Sequence, residues 1–221
     1  MPTLSKLRKD IKPMNELVHQ LIQINTLRIP RNEVNQDEMG QMANFIDRED
    51  TEFCYLHCTH RLYQATSAPE LANLEKSLET QLPFHLKQLL QTTNGAEFFI
   101  TPNWGFPDER VVRYHVFNTE EILRTNRELL KQFRSMLGDD PDFQDVHSLN
   151  YVAFCDAHDD NYLAILLDKQ MYGSVFFLNN EYLYRPYTEQ DSDLYYTVAG
   201  SLEEWFGRLL LSSGWDGFYE S

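Results

Sequence analysis

Apolar residues fall three or four apart in some stretches of this chain, and in others they run together or alternate. Leu17, Leu21, Ile24 and Leu27 share one face of a helix predicted from Met14 to Leu27, with Pro13 ahead and Pro30 behind. Met39, Met42, Phe45 and Ile46 group in the same way over Gln36 to Asp47. Phe53 to Gln64 fits either a helix or a strand, and the pattern leaves both open. Each of these early helices offers one narrow apolar stripe. The expectation for residues 1–67 is therefore a helical extension that packs on a larger domain and does not fold alone.

From Ser67 onward the signals sharpen. Ser67 with Glu70 makes a capping box, in which hydroxyl and carboxylate satisfy orphan N–H groups reciprocally, and Leu71, Leu74, Leu78 and Leu82 form the stripe behind it. Leu82-Pro83 breaks that helix and starts a second. Leu86, Leu89 and Leu90 are the buried face of the second helix, and Asn94-Gly95 is its stop. Two strand-like runs follow, Ala96 to Thr101 and Val111 to Phe117. Asn118 with Glu121 opens a helix to about Leu137, which Gly138 closes. Tyr151 to Cys155, Tyr162 to Leu167 and Ser174 to Leu178 are closely spaced strands, and Glu181 to Arg185 is a candidate for one more. A second capping box, Ser201 with Glu204, opens a last helix that ends near Gly214. Strands and helices segregate along residues 68–221. The fold class expected is α+β, a mostly antiparallel sheet with helices packed on one face, plus the helical N-terminal extension.

The block from Leu74-Glu75 through Leu82-Pro83 and Leu89-Leu90 to Thr93-Asn94-Gly95 resembles the opening signature of the SUKH superfamily. That superfamily takes in fungal cell-wall-synthesis regulators and bacterial toxin-immunity proteins. Phe117-Asn118-Thr119-Glu120-Glu121 is similar to its strand-to-helix step. Val152 to Leu167 resembles its central hairpin, although the turn reads Asp156-Ala157-His158-Asp159-Asp160-Asn161 where glycine is commoner. Gly173-Ser174-Val175 and Ser201 to Leu211 complete the order, and the resemblance covers roughly residues 68–213. It implies a non-enzymatic binding protein with no catalytic residues to carry over.

Charge adds to this picture. The 221 residues carry 19 basic and 34 acidic side chains, a net of −15. Residues 1–67 hold 8 basic and 9 acidic groups, whereas residues 68–221 hold 11 and 25, so nearly all the excess belongs to the second part. Such a field repels nucleic acid and anionic membrane and speeds encounter with a basic protein, though acidity also serves solubility alone. No run approaches the roughly 20 apolar residues of a membrane span. With no secretory pattern behind Met1 and three cysteines, the setting expected is a reducing cytoplasm.

Candidate chemistry is sparse. Cys54, His57, Cys58 and His60 form a ligand-like cluster, and a helix there would put both thiols on one face. Only Cys155 with His158 offers a second pair for zinc, and buried cysteines acting as small apolar residues are the commoner case. Asp156, His158, Asp159 and Asp160 lack the glycine and distal glutamate of a calcium loop and read as a solvated turn. No phosphate-binding glycine loop, nucleophile elbow or His-Glu-x-x-His pair occurs. No cofactor, metal or catalytic residue is expected. The partner expected is another, basic protein, a toxin or a regulatory protein, with no nucleic acid and no membrane. The residues expected to meet it are the loop acids Asp139, Asp140, Asp142, Asp159, Asp160, Asp191 and Asp193, with Trp104 as an aromatic anchor. The other readings are an intracellular scaffold of the same fold, and a metal-binding protein using the Cys54 to His60 cluster.

Overall fold

Proline and capping residues decide where the central helices of this chain begin. A computed structural model describes residues 12–31, 45–46, 50, 52–103, 106–137, 150–157, 161–167, 169, 171–178 and 195–215. Helix α1 spans Met14–Leu21 and leads into strand β1, Thr26–Pro30. Strands β2 (Phe45–Ile46), β3 (Phe53–His57) and β4 (Thr59–Leu62) follow. Helices α2 (Ala68–Leu78) and α3 (Phe84–Thr92) precede the long hairpin β5 (Ala96–Asn103) and β6 (Phe106–Val116). Helix α4 (Thr119–Leu137) leads to β7 (Tyr151–Asp156), β8 (Tyr162–Leu166), β9 (Val175–Leu178) and β10 (Tyr195–Ala199), and α5 (Leu202–Ser212) closes the fold.

Strands β4 to β10 form one seven-stranded sheet in the order β10-β9-β8-β7-β6-β5-β4, every neighbour antiparallel. This is the expected α+β class. Helix α5 lies over the middle of the sheet. Its Trp205 meets Tyr114 and Phe154 edge-on at 5.6 Å each, and its Phe206 meets Phe98 at 5.9 Å. All five rings are fully buried, and burying side chains of this size stabilises by about 2 kcal/mol or more each. Helix α1 packs on α3 and α5 on the same side. Helix α4 adds a layer on the other side, where its Leu129 clusters with Ala153, Ala164, Phe176 and Leu178. The reason is legible in β7, where Val152, Ala153, Phe154 and Cys155 are all buried. A continuous apolar run of that kind belongs to a strand covered on both faces.

The N-terminal part departs most from expectation. The helix predicted to Leu27 stops at Leu21, and Thr26–Pro30 pairs antiparallel with β3, Leu27 opposite Leu56 and Ile29 opposite Cys54. Helical spacing and strand alternation both fit Leu27, and pairing to a strand far along the chain decides between them. Phe45–Ile46, expected within a helix, pairs with β3 as a strand, while the other residues of that predicted helix lie outside the described residues. The ambiguous stretch from Phe53 is β3 and β4. β1, β3 and β2 make a second, three-stranded sheet. The candidate strand from Glu181 to Arg185 lies outside the described residues, and β10, which the sequence pattern did not mark, stands at one end of the sheet order among the described strands.

Candidate protein-binding surface

The residues that carry the opening signature are fastened to backbone. Glu75 on α2 accepts from the Leu82 N–H at 2.8 Å and from Lys87 Nζ at 3.0 Å, so one carboxylate fixes the step between α2 and α3. Asn94 takes the Thr119 N–H at 2.9 Å on Oδ1 and donates from Nδ2 to Thr119 Oγ1 at 3.3 Å, which ties the end of α3 to the start of α4. Gly95 has φ of 91°, and a Cβ there would stand 3.0 Å from the Asn118 backbone nitrogen. Only glycine meets both demands. These residues act as joints between elements.

Several other carboxylates are used the same way. Glu70 accepts from the Ser67 N–H at 2.7 Å, and this backbone bond, with the Ser67 and Thr66 hydroxyls, holds its pKa below the usual range. Glu121 accepts from Asn118 N–H at 2.9 Å and Glu204 from Gly200 N–H at 3.0 Å, each at a helix start. Asp50 takes the Tyr55 hydroxyl and the Glu52 and Phe53 N–H groups, which together lower its pKa. A carboxylate bound to its own backbone in this way is a poor contact for a partner. The acids proposed from sequence, Asp139, Asp140, Asp142, Asp159, Asp160, Asp191 and Asp193, lie outside the described residues, and so does Trp104.

The Cys54 to His60 stretch is a pair of strands, so the single helical face expected for its thiols does not exist. Cys54, Cys58 and Cys155 are buried free thiols. Burial pushes the Cys58 thiol up to about 12 and raises Cys54 and Cys155 as well, which keeps all three protonated near neutrality. His57 is exposed, and His158 lies outside the described residues. Among the described residues no three His, Cys, Asp or Glu side chains are placed to hold a metal ion.

Two side chains have roles that the sequence did not show: His60, weighed there only as a metal ligand, and Asn126, not singled out at all. His60 Nδ1 accepts from the Phe99 N–H at 3.3 Å, so its proton sits on Nε2, which donates to the Ile24 carbonyl at 2.6 Å. The neutral ring therefore bridges β5 and the turn after α1, and burial lowers its pKa. Phe99 is held there with φ of 55°, at a register shift between β4 and β5. Asn126 on α4 is buried and faces β7 at Ala153, beyond the end of β6. It accepts the Ala153 N–H at 2.9 Å and donates to the Ala153 carbonyl at 2.9 Å, replacing the missing strand neighbour. An amide is the side chain that offers donor and acceptor in that arrangement, and in the sequence it reads as one more polar helix position.

Among the described residues no helix is long and apolar enough to cross a membrane. No curated protein matches the chain. The pattern that defines the SMI1 / KNR4 family (SUKH-1) matches residues 65–208, which takes in the α2–α3 joint, six of the seven strands of the large sheet, β5 to β10, and most of α5. By that match over more than half its length, the chain belongs to the SMI1 / KNR4 family (SUKH-1).

Proposed function

We propose that this chain is a non-enzymatic protein-binding domain of the immunity kind, which neutralises a basic toxin by covering it. The observation that carries the reading is the charge of −15, with 25 acidic against 11 basic side chains from residue 68 onward. A nuclease toxin is basic because it holds phosphate, and an acidic inhibitor meets it fast. Electrostatic complementarity mainly raises the association rate, while a desolvated centre of the interface holds the complex. Family membership supports a SUKH-type domain. The internal use of Glu70, Glu75, Glu121 and Glu204 points to the loop acids between α4 and β7, between β7 and β8, and before β10 as the contacting charges. Three free thiols suit a reducing cytoplasm.

Capture from native lysate at low and then raised salt tests this. One basic protein, lost as salt rises, is the expected result. Replacing Asp139, Asp140, Asp142, Asp159 and Asp160 by Lys is then expected to slow association at least 10-fold. Unchanged binding in that variant sinks the electrostatic reading.

One observation favours a second reading, a regulatory scaffold. Residues 12–62 precede the family match, which begins at residue 65, and add α1 and a three-stranded sheet. Recovery of several regulatory proteins with little salt dependence would move the assignment there.

A further inference from the structure

Helix α2 ends on a residue that its backbone does not favour. Glu79 is the C-cap and stands in the left-handed region with φ of 55°, a position that glycine fills at least cost. Its side chain is exposed and, among the described residues, forms no ion pair. On α4, Arg127 is exposed and likewise forms no ion pair among the described residues. Tyr151, at the start of β7, packs edge-on against Phe176 at 5.5 Å. Burial raises the pKa of its hydroxyl, and no hydrogen bond from the described residues reaches that hydroxyl. A phenol in that position is satisfied only by water or by a molecule that comes to it.

Glu79, Arg127 and Tyr151 line one cleft of about 410 Å³ between the C-terminal end of α2, α4 and β7, a size within the range of small-molecule sites. Thr80 adds a hydroxyl, and Leu78 and Leu130 add apolar surface. Arg134 borders the cleft as well but already holds an interaction within the chain, so Arg127 is the lining cation open to a ligand. The α2 wall therefore offers a carboxylate and the α4 wall a guanidinium, with apolar side chains beside both.

We infer that this cleft binds a zwitterionic amino acid with an aliphatic side chain. Its carboxylate lies on Arg127 and the Tyr151 hydroxyl, its ammonium on Glu79, and its side chain against Leu78 and Leu130. The guanidinium fork binds a carboxylate through two parallel hydrogen bonds, and the phenol O–H donates another. The mixed lining selects against ligands of one sign. An anion meets Glu79 and the field of a −15 chain, and a cation meets Arg127 and Arg134. A zwitterion brings no net charge and satisfies both walls. Its binding ties the end of α2 to α4 and β7, and is independent of the acidic loops and of any protein partner.

The test is titration of the full chain with L-leucine, followed by amide chemical shifts. N-acetyl-L-leucine, which lacks the ammonium, and L-leucine amide, which lacks the carboxylate, are the comparisons. Saturable shifts at Thr80, Leu130 and Tyr151 are expected, with a Kd on the order of 1 mM or tighter. Binding is expected to weaken at least 10-fold for either analogue, and in Arg127→Ala and in Glu79→Gln. Arg124→Ala, an exposed cation on α4 outside the cleft, is expected to leave it unchanged. No saturation at 10-fold that concentration, equal binding of either analogue, or equal weakening by Arg124→Ala overturns the inference. Circular dichroism of the Arg127 and Glu79 variants confirms that lost binding is not lost fold.

Discussion

The segment from Ser67 to Gly95 and the segment from Met14 to Leu62 are built in opposite ways. In the first, the two ends of α2 and the step to α3 are set by bonds to residues a few positions away, and only the end of α3 is tied farther off, through Asn94 to Thr119. Ser67 and Glu70 cap α2, Glu79 ends it in the left-handed region with φ of 55°, and Glu75 reaches only to Leu82 and Lys87. In the second, α1 has Pro13 at its start with no side-chain cap, and its strands are fixed from far away. Leu27 sits opposite Leu56, Arg28 N–H bonds the Ser213 carbonyl, and His60 bridges to Ile24 and Phe99. Local capping makes an element independent of its surroundings, whereas distant pairing lets the surroundings choose between helix and strand.

Substitutions can break that comparison, and the largest effect belongs to a long-range link. Asn126→Ala leaves the N–H and carbonyl of buried Ala153 without partners. A loss of about 3 kcal/mol is expected, read from urea unfolding. A loss under about 1 kcal/mol would mean that water or a shifted β6 takes over the role, and the contrast between local and distant bonds would weaken.

His60 comes next. Burial holds its folded pKa below the ordinary histidine value of about 6.5, so the unfolded chain binds the proton more readily. Its contribution to stability is complete above about pH 6.5 and is lost as pH falls from there through the lower folded value. Protonated Nδ1 would face the Phe99 N–H donor to donor, a cost of about 2 kcal/mol. Among the described residues the rings packed on it are Phe98 and Phe99, with centroids at 5.9 and 4.9 Å, and neither offers a negative charge to stabilise the proton. Unfolding measured from pH 8 to pH 5 is expected to show this loss, and His60→Gln to flatten it. A profile identical in both proteins would assign the acid sensitivity elsewhere.

Ser67→Ala is expected to cost the least, about 1 kcal/mol, since only a local cap is removed. If it matched Asn126→Ala, the opening block would owe its stability to its caps more than to its place on the sheet.

The same contrast explains what the sequence disclosed. The capping box at Ser67, the Ser201 cap, the Leu82-Pro83 step and the stop at Asn94-Gly95 sit where expected, because each is marked by a distinctive residue pair close in the chain; the expected box at Ser201 is only half formed, since Glu204 reaches the Gly200 N–H and not that of Ser201. Leu17, Leu21, Ile24 and Leu27 misled because the helical period ran past Leu21 into a strand whose partner stands 29 positions beyond Leu27. The roles of Asn126 and His60 were hidden for the same reason, since a lone polar residue shows nothing of the backbone it will meet. The second helical layer could have been foreseen from the unbroken apolar run of β7. The acids chosen for recognition were read from loop composition, and Asp139, Asp159 and their companions lie outside the described residues.

The aromatic cage around Trp205 has a spectroscopic consequence. An indole enclosed by Tyr114, Phe154 and Phe206 emits at short wavelength and is shielded from aqueous quenchers until the sheet opens. Trp215, half-buried under the Arg113 guanidinium at 4.9 Å, reports on the end of α5 instead. With Trp104 and Trp215 replaced by Phe, the remaining emitter is an internal gauge of folding. Its colour is expected to stay constant while a partner docks on the surface and to redden only when the domain itself comes apart.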